Sequence, residues 1–311
     1  MHVACGFLGL SMVFNSSFLY LSTVLIWGTT FYAIHFQLGE VSPVVSVMWR
    51  FLLAAAALFA WIAVKRLPCR FSAVQHGWIA LQGLLLFSIN YVLVYHATEH
   101  LTSGLVAVVF AGVVGMNILN GAIFLGKKVS GLVALGALLG TVGLALVFLP
   151  EVRSATANPE ILPAIALALV STLCASLGNI ISARNQAERM PVLQCNAFGM
   201  FYGAAATYVY MLFTDIPLDF SFEPSYIYSL LYLALFGSVL AFGAYLSLVG
   251  KVGADRAGYA TVMFPLVALG ISTIFEEYHW PIEAIFGVML VLLGNILVLN
   301  KNLLKQPKNR P

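Results

Sequence analysis

The chain has 311 residues, of which 61% are hydrophobic and only 9% are charged. A soluble domain is about 45–50% apolar and about 25% charged, because its surface must be covered by polar groups. The composition therefore excludes a soluble globular protein, a disordered chain and a nucleic-acid binder. It predicts an integral membrane protein surrounded by membrane lipid. The sequence lacks the segments of alternating polarity, about ten residues long, that a β-barrel needs, so we expect an all-α protein.

The four cysteines are Cys5, Cys69, Cys174 and Cys195, and no CxxC pair occurs among them. No group of cysteine and histidine residues has the spacing of a zinc site. We therefore expect neither a disulfide nor a metal site, and the sequence gives no sign of a cofactor.

Ten stretches have the length and hydropathy of a transmembrane helix, which needs about 20 mostly apolar residues. They are 17–36, 43–64, 77–97, 102–125, 131–149, 161–183, 192–213, 226–249, 257–276 and 282–300. The preceding apolar stretch Val3–Phe14 is too short to span a bilayer. We interpret residues 1–16 as a lead-in to the first helix.

The charged residues indicate the orientation, because basic residues collect in cytoplasmic loops. When alternate loops are assigned to opposite sides, all lysines and arginines except Arg50 and Arg153 fall on one side. All acidic residues except Glu188 and Asp255 fall on the other side. A missed or extra helix would destroy this segregation, so we predict ten spans with both termini cytoplasmic, including a basic tail at 301–311.

The ten spans divide into two related halves around a polar external linker at 150–160. Glycines seven residues apart occur in the fifth span, at Gly136 and Gly143, and again in the tenth, at Gly287 and Gly294. Pro43 before the second span likewise matches Pro191 before the seventh, and Tyr95 in the third matches Tyr245 in the eighth. Because five is odd, the half 161–300 must enter the membrane from the side opposite to that of 17–149. The sequence thus predicts two inverted five-helix repeats, an arrangement typical of transporters with a midplane substrate site.

Several short motifs occur in the order typical of one family of transporters. They are Trp27-Gly28-Thr29-Thr30-Phe31, Arg50-Phe51-Leu52, Asn90-Tyr91 with Tyr95, Gly253-Ala254-Asp255-Arg256-Ala257, and Phe264-Pro265-Leu266 leading to Glu276. Together they resemble the drug/metabolite transporter superfamily, and in particular EamA-type permeases, over about residues 18–300. The resemblance implies two inverted five-helix repeats in a bacterial inner membrane, exporting small metabolites such as amino acids. One departure is Ala111-Gly112-Val113, which stands where relatives commonly have a proline.

Arg50 is the lone charge well inside a span, where an arginine normally faces a cavity or a partner. We interpret it as a residue of the substrate pathway that attracts a carboxylate or another anion. The alternative is a structural arginine that binds backbone carbonyls.

Other polar and aromatic residues are candidates for the same pathway. They are Trp27, Asn90, Tyr91, Tyr95, Asn117, Asn179 and Tyr245. The alternatives are an aromatic belt at the lipid headgroups for the tyrosines, packing between helices for Trp27, and interhelical hydrogen bonds for the asparagines.

Gly28 and Pro265 are candidate hinges, because glycine permits close approach of a helix and proline removes a helical hydrogen bond. Proton coupling would require an ionisable group that reaches the cavity, and His35 and Glu276 are the best-placed candidates. The alternative is that both are solvated loop residues. The glycine pairs Gly136/Gly140, Gly199/Gly203 and Gly112/Gly115 suit either internal helix packing or the face of a homodimer.

The leading hypothesis is a secondary active transporter that exports a small polar or amphipathic substrate by alternating access. No GxxxxGK[ST] motif is present for direct use of ATP. The alternative is a channel or a non-transporting scaffold or receptor. An intramembrane enzyme comes third, because neither HExxH nor GxSxG occurs.

Overall fold

The computed structural model describes residues 15–126, 131–154, 158–252 and 259–304. Most of the predicted lead-in, most of the predicted basic tail and the motif at 253–257 lie outside these ranges. Within them the chain forms ten helices and no strand, which confirms the predicted all-α membrane fold.

The first half contains five helices, named here in chain order. They are α1 (Ser16–His35), α2 (Pro43–Val64), α3 (Ala73–Thr98), α4 (Ser103–Leu125) and α5 (Gly131–Ser154). Their starts follow ordinary capping chemistry. The side chain of Asn15 accepts a hydrogen bond from the N–H of Phe18, Pro43 occupies the first turn of α2, and Ser72 forms a capping box with Gln75 before α3.

The second half contains the other five helices. They are α6 (Ile161–Ala187), α7 (Val192–Phe213), α8 (Pro224–Leu231, Tyr232–Leu240 and Ala241–Val252), α9 (Tyr259–Phe275) and α10 (Ile282–Leu304). Eight of the ten helices are long and apolar enough to cross a membrane. The exceptions are α9, which has 17 residues, and α7, which is less apolar because it carries Gln194, Asn196 and Thr207, all buried.

The helices pack as two interleaved, equivalent halves. The equivalent helices α2 and α7 contact each other, and so do α4 and α9, and α5 and α10. The larger remaining contacts between the halves are also matched: α1 packs on α8 and α9 as α6 packs on α3 and α4, and α2 packs on α8 as α7 packs on α3. An exchange of halves therefore reproduces the main features of the packing, as expected for an inverted repeat.

Two irregular segments also occur at equivalent places. Leu84–Ile89 in α3 and Tyr232–Leu240 in α8 are π-helical. With Tyr95 matched to Tyr245, the first segment falls on residues 234–239, within the second. Such wider turns are rare and are frequent at functional sites.

The fourth and ninth helices are both disturbed near their middle, but by different residues. In α9 the disturbance is Pro265, which lacks a backbone N–H. In α4 the helix is interrupted at Gly112, whose N–H donates to the carbonyl of Val109 over a tighter turn. The glycine thus produces a break close to the place where the equivalent helix has its proline.

Candidate functional site

A cavity of about 450 Å³ lies between the two repeats. This volume is in the range that holds a small ligand. The first repeat contributes residues of α1 to α4 to its walls, and the second contributes residues of α6 and α8 to α10. The cavity is therefore positioned where movement of one repeat against the other would change its access.

Among the described residues that line this cavity, Arg50 is the charged one, and its side chain is 1% exposed. Its Nε donates to Oγ of Ser238 over 3.1 Å, and its Nη1 donates to the hydroxyl of Tyr95 over 3.4 Å. The guanidinium carbon lies 4.5 Å from the ring centroid of Tyr91, at cation–π distance. The protein thus holds this cation with two hydroxyl groups and an aromatic face.

No carboxylate neutralises Arg50 among the residues that the structure describes. The ion pairs there join His96 to Glu99 and Arg153 to Glu283. A guanidinium has five N–H donors, and two of those of Arg50 bind protein hydroxyls. A buried positive charge with unused N–H donors is energetically costly unless it binds an anion. This wall is therefore suited to an anionic group of a ligand.

Asn90 lines the same cavity, and the acceptor of its side chain has no hydrogen-bond partner. Its side chain is fully buried, and Nδ2 donates to the carbonyl of Leu86 over 3.2 Å. This bond identifies the other amide atom as the oxygen, and Oδ1 has no hydrogen-bond partner. A buried acceptor without a partner costs about 1–3 kcal/mol, so Oδ1 of Asn90 would gain from a ligand N–H. The atom is covered in this structure, and a small movement of the wall must expose it first.

Aromatic rings form much of the remaining wall. The ring centroid of Trp27 lies 5.2 Å from that of Tyr245 and 5.4 Å from that of Phe242. Phe31 stacks on Phe264 with centroids 5.6 Å apart. Trp27 therefore both packs between helices and lines the cavity.

The asparagines Asn117 and Asn179 also line the cavity. Nδ2 of Asn179 donates to Oδ1 of Asn117 over 3.4 Å, which joins α6 to α4 across the two repeats. The neighbouring Asn120 is turned away and donates to Oγ of Ser176 over 2.9 Å.

Three of the residues predicted for the substrate pathway or for proton coupling do not line the cavity. Tyr95 is fully buried behind Arg50 and reaches the site only through that residue. His35 is exposed, with its ring stacked on Tyr32. Both carboxylate oxygens of Glu276 accept hydrogen bonds from Ser103 at the start of α4.

The two predicted hinge residues both lie where α1 packs on α9, beside the cavity. A Cβ at Gly28 would lie 2.6 Å from Cβ of Val267 and 3.0 Å from the carbonyl oxygen of Phe264. Gly28 therefore allows α9 to approach α1 at the turn that holds Pro265.

Sequence reasoning missed most apolar members of the wall. Unpredicted lining residues include Thr30, Phe31, Ile34, Leu86, Val94, Phe110, Val113, Val114, Ile118, Phe242, Thr261, Phe264, Val298 and Leu299. Helical spacing from the predicted polar residues would have found several of them. Positions 27, 30, 31 and 34, for example, share one face of α1.

A family model described as "EamA-like transporter family" matches residues 15–149 and 162–300. Similar curated proteins include an "Uncharacterized transporter" of Clostridium kluyveri, 23% identical over 86% of this chain and 86% of the relative. "Protein PagO" of Salmonella typhimurium is 24% identical over 91% of this chain and 92% of its own. The "Uncharacterized inner membrane transporter YedA" of Escherichia coli K12 is 26% identical over 88% and 89%.

A solved crystal structure has the same fold. It superimposes with a TM-score of 0.64 and covers 94% of this chain and 99% of its own, at 16% identity. The likeness supports the helical architecture described above.

Proposed function

The chain belongs to the EamA-like transporter family, and we propose that it is a secondary active transporter that exports small amphipathic metabolites such as amino acids. The curated relatives named above include proteins called transporters, and the chain is a multi-pass membrane protein like them. We place it in a bacterial inner membrane with both termini cytoplasmic, in accordance with the distribution of its charges.

The observation that carries the proposal is the pair of unused polar groups on one cavity wall. Arg50 offers N–H donors and a positive charge, and Asn90 offers an acceptor without a partner. An α-amino acid has the complementary groups, a carboxylate for the guanidinium and an ammonium for the amide oxygen. The aromatic walls around Trp27 and Phe31 suit an apolar side chain.

Alternating access is supported by the position of the cavity between inverted repeats. At the end predicted to be external, hydrogen bonds join the two repeats directly. Gln37 donates to the carbonyl of Tyr226, Ser221 donates to the carboxylate of Glu40, and Ser103 donates to Glu276. Opening toward that side would break these bonds, so we expect them to form and break during transport.

We propose that the repeats 17–149 and 161–300 move relative to each other and that the linker 150–160 joins them. α5 runs to Ser154, and so extends into the predicted linker. Of the glycines considered for a homodimer face, Gly136 packs within the chain, since a Cβ there would lie 2.6 Å from the carbonyl oxygen of Gly294, whereas a Cβ at Gly140 or Gly115 would meet nothing within 4 Å. The proposed partners are a small-molecule substrate, membrane lipid and a second copy of the chain in a homodimer.

The test is counterflow of labelled amino acids by purified protein in liposomes, measured per folded molecule. Arg50→Gln should abolish transport, whereas Arg50→Lys should retain part of it because the charge remains without the planar fork. Arg184→Gln is a matched control. Arg184 lies 4.1 Å from the ring of Trp78 but outside the cavity wall, so its loss should leave transport intact. A stable and fully active Arg50→Gln protein would refute the proposal.

A further inference from the structure

One hydroxyl group connects the π-helical segment of α8 to the buried cation. Oγ of Ser238 donates to the carbonyl oxygen of Leu233, five residues earlier, over 3.0 Å. The same oxygen accepts the N–H of Nε of Arg50 over 3.1 Å. Because the hydroxyl proton is directed to the backbone, the oxygen lone pairs are directed to the guanidinium.

The guanidinium is held from two sides by helices of different repeats. Ser238 of α8 binds Nε, and Tyr95 of α3 binds Nη1. The space beside the remaining nitrogen depends on Gly237. A Cβ there would lie 3.3 Å from Nη2 of Arg50 and 2.7 Å from Cγ2 of Thr30. The π-helical segment thus presents a small residue and an acceptor side by side against one arginine.

We propose that Ser238 is a positioning residue that sets the selectivity of the cavity for carboxylates, with Tyr95 as its partner from the other repeat. The inference rests on the proposed function, because it assumes that Arg50 meets an anionic group. A carboxylate accepts two parallel N–H bonds only when the guanidinium plane has a fixed direction. An arginine that rotates freely would still attract anions, but it would bind a carboxylate through one N–H bond instead of two and would lose part of its preference over a neutral carboxamide.

The first repeat contains a residue, Ser88, that serves as a control for Ser238. Ser88 occupies the equivalent place in the π-helical segment of α3 when Tyr95 is matched to Tyr245. Its hydroxyl lies 2.7 Å from that of Thr207, and it does not line the cavity. Ser88 and Ser238 are both buried serines in π-helical turns that bind a residue of the neighbouring helix. They differ in that only the bond of Ser238 reaches the arginine.

The first experiment compares the half-saturation concentrations of leucine and methionine with those of their carboxamides in proteoliposomes. Ser238→Ala should reduce the preference for the carboxylate about tenfold, since hydrogen bonds to charged groups are worth about that much. Tyr95→Phe should reduce it in the same direction. Ser238→Thr, which keeps the hydroxyl, should preserve the preference, and so should Ser88→Ala.

The second experiment needs no ligand. Tm is measured for the wild-type protein, Ser238→Ala, Arg50→Gln and the double variant. If Ser238 holds Arg50, the loss of Tm caused by Ser238→Ala should largely disappear in the Arg50→Gln background. The corresponding cycle with Ser88→Ala should be additive.

The results separate the two proposals. Additive effects of Ser238→Ala and Arg50→Gln, or an unchanged carboxylate preference in Ser238→Ala, would overturn the role of Ser238 and leave the proposed function standing. A wild-type protein without any carboxylate preference would overturn the proposed function and, with it, the selectivity assigned to Ser238. A coupled cycle would then show only that Ser238 stabilises the buried cation.

Discussion

Glu276, the residue that follows α9, caps the first turn of α4 by binding Ser103. Each carboxylate oxygen lies 3.1 Å from the backbone nitrogen of Ser103, and one lies 2.6 Å from its hydroxyl oxygen. Helix N-termini stabilise negative charge, because their first N–H groups have no helical acceptor. The contact joins the two repeats at the end predicted to be external.

The first prediction concerns this contact. Glu276→Gln keeps an acceptor but removes the charge, and should weaken the contact by about 1 kcal/mol. A cysteine at Val94, on the cavity wall, should then react faster with an impermeant thiol reagent added from the external side. Glu277→Gln is the control, because the adjacent Glu277 is exposed. Equal reaction rates in both variants would show that Glu276 does not restrain external opening.

The second prediction concerns orientation. In a cysteine-free background, Asn158→Cys should react with an impermeant thiol reagent in intact cells, because this exposed residue lies between α5 and α6. Ala73→Cys, an exposed position at the start of α3, should react only after the membrane is permeabilised. The opposite pattern would reverse the predicted topology.

The third prediction concerns the crossing of α5 and α10. A Cβ at Gly287 would lie 2.6 Å from the carbonyl oxygen of Gly143, so Gly287→Ala should force the helices apart and destabilise the protein by about 1–3 kcal/mol. Gly140→Ala is the control in α5, because a Cβ there meets nothing within 4 Å. The measurement is Tm in detergent together with the molecular mass in solution. An unchanged Tm with an altered mass would assign these glycines to a dimer interface instead.

The fourth prediction separates recognition from stability at Asn90. Asn90→Leu removes a buried acceptor that has no partner and introduces the residue type found at the equivalent Leu240. Tm should stay the same or rise, while amino-acid transport falls about tenfold or more. Asn120→Leu should do the reverse, because Asn120 binds Ser176 away from the cavity. A marked loss of Tm in Asn90→Leu would indicate a structural role.

The helices could be predicted from sequence because the thickness of the bilayer fixes their length. The bounds predicted for 43–64 and 192–213 coincide with α2 and α7, whereas α3 begins at Ala73 instead of residue 77 and α5 continues to Ser154. The π-helical segments escaped prediction because a wider turn has the same apolar composition as an ordinary one.

The site was only partly predictable for a similar reason. Arg50 stood out because a charge within a span is rare, and the cavity does include it. Ser238 did not stand out, because a serine in a membrane helix usually bonds its own backbone, as this one also does. Tyr95 was predicted to line the pathway, but its side chain is fully buried and binds Arg50 from behind the cavity wall.

The interruption of α4 at Gly112 and the proline of α9 show that the two halves keep similar backbones with different residues. The side chains of the two halves are not equivalent, however. Arg50 and Asn90 both belong to the first half, and the position in the second half that is equivalent to Asn90 is Leu240. Under the proposed function, a bound substrate would keep its charged end against the same half whichever side is open, and its surroundings would differ between the two faces. Half-saturation and turnover should differ between the two faces of the membrane. At equilibrium, the substrate concentrations on the two sides should nevertheless be equal. An asymmetric carrier still obeys detailed balance unless a second gradient drives it.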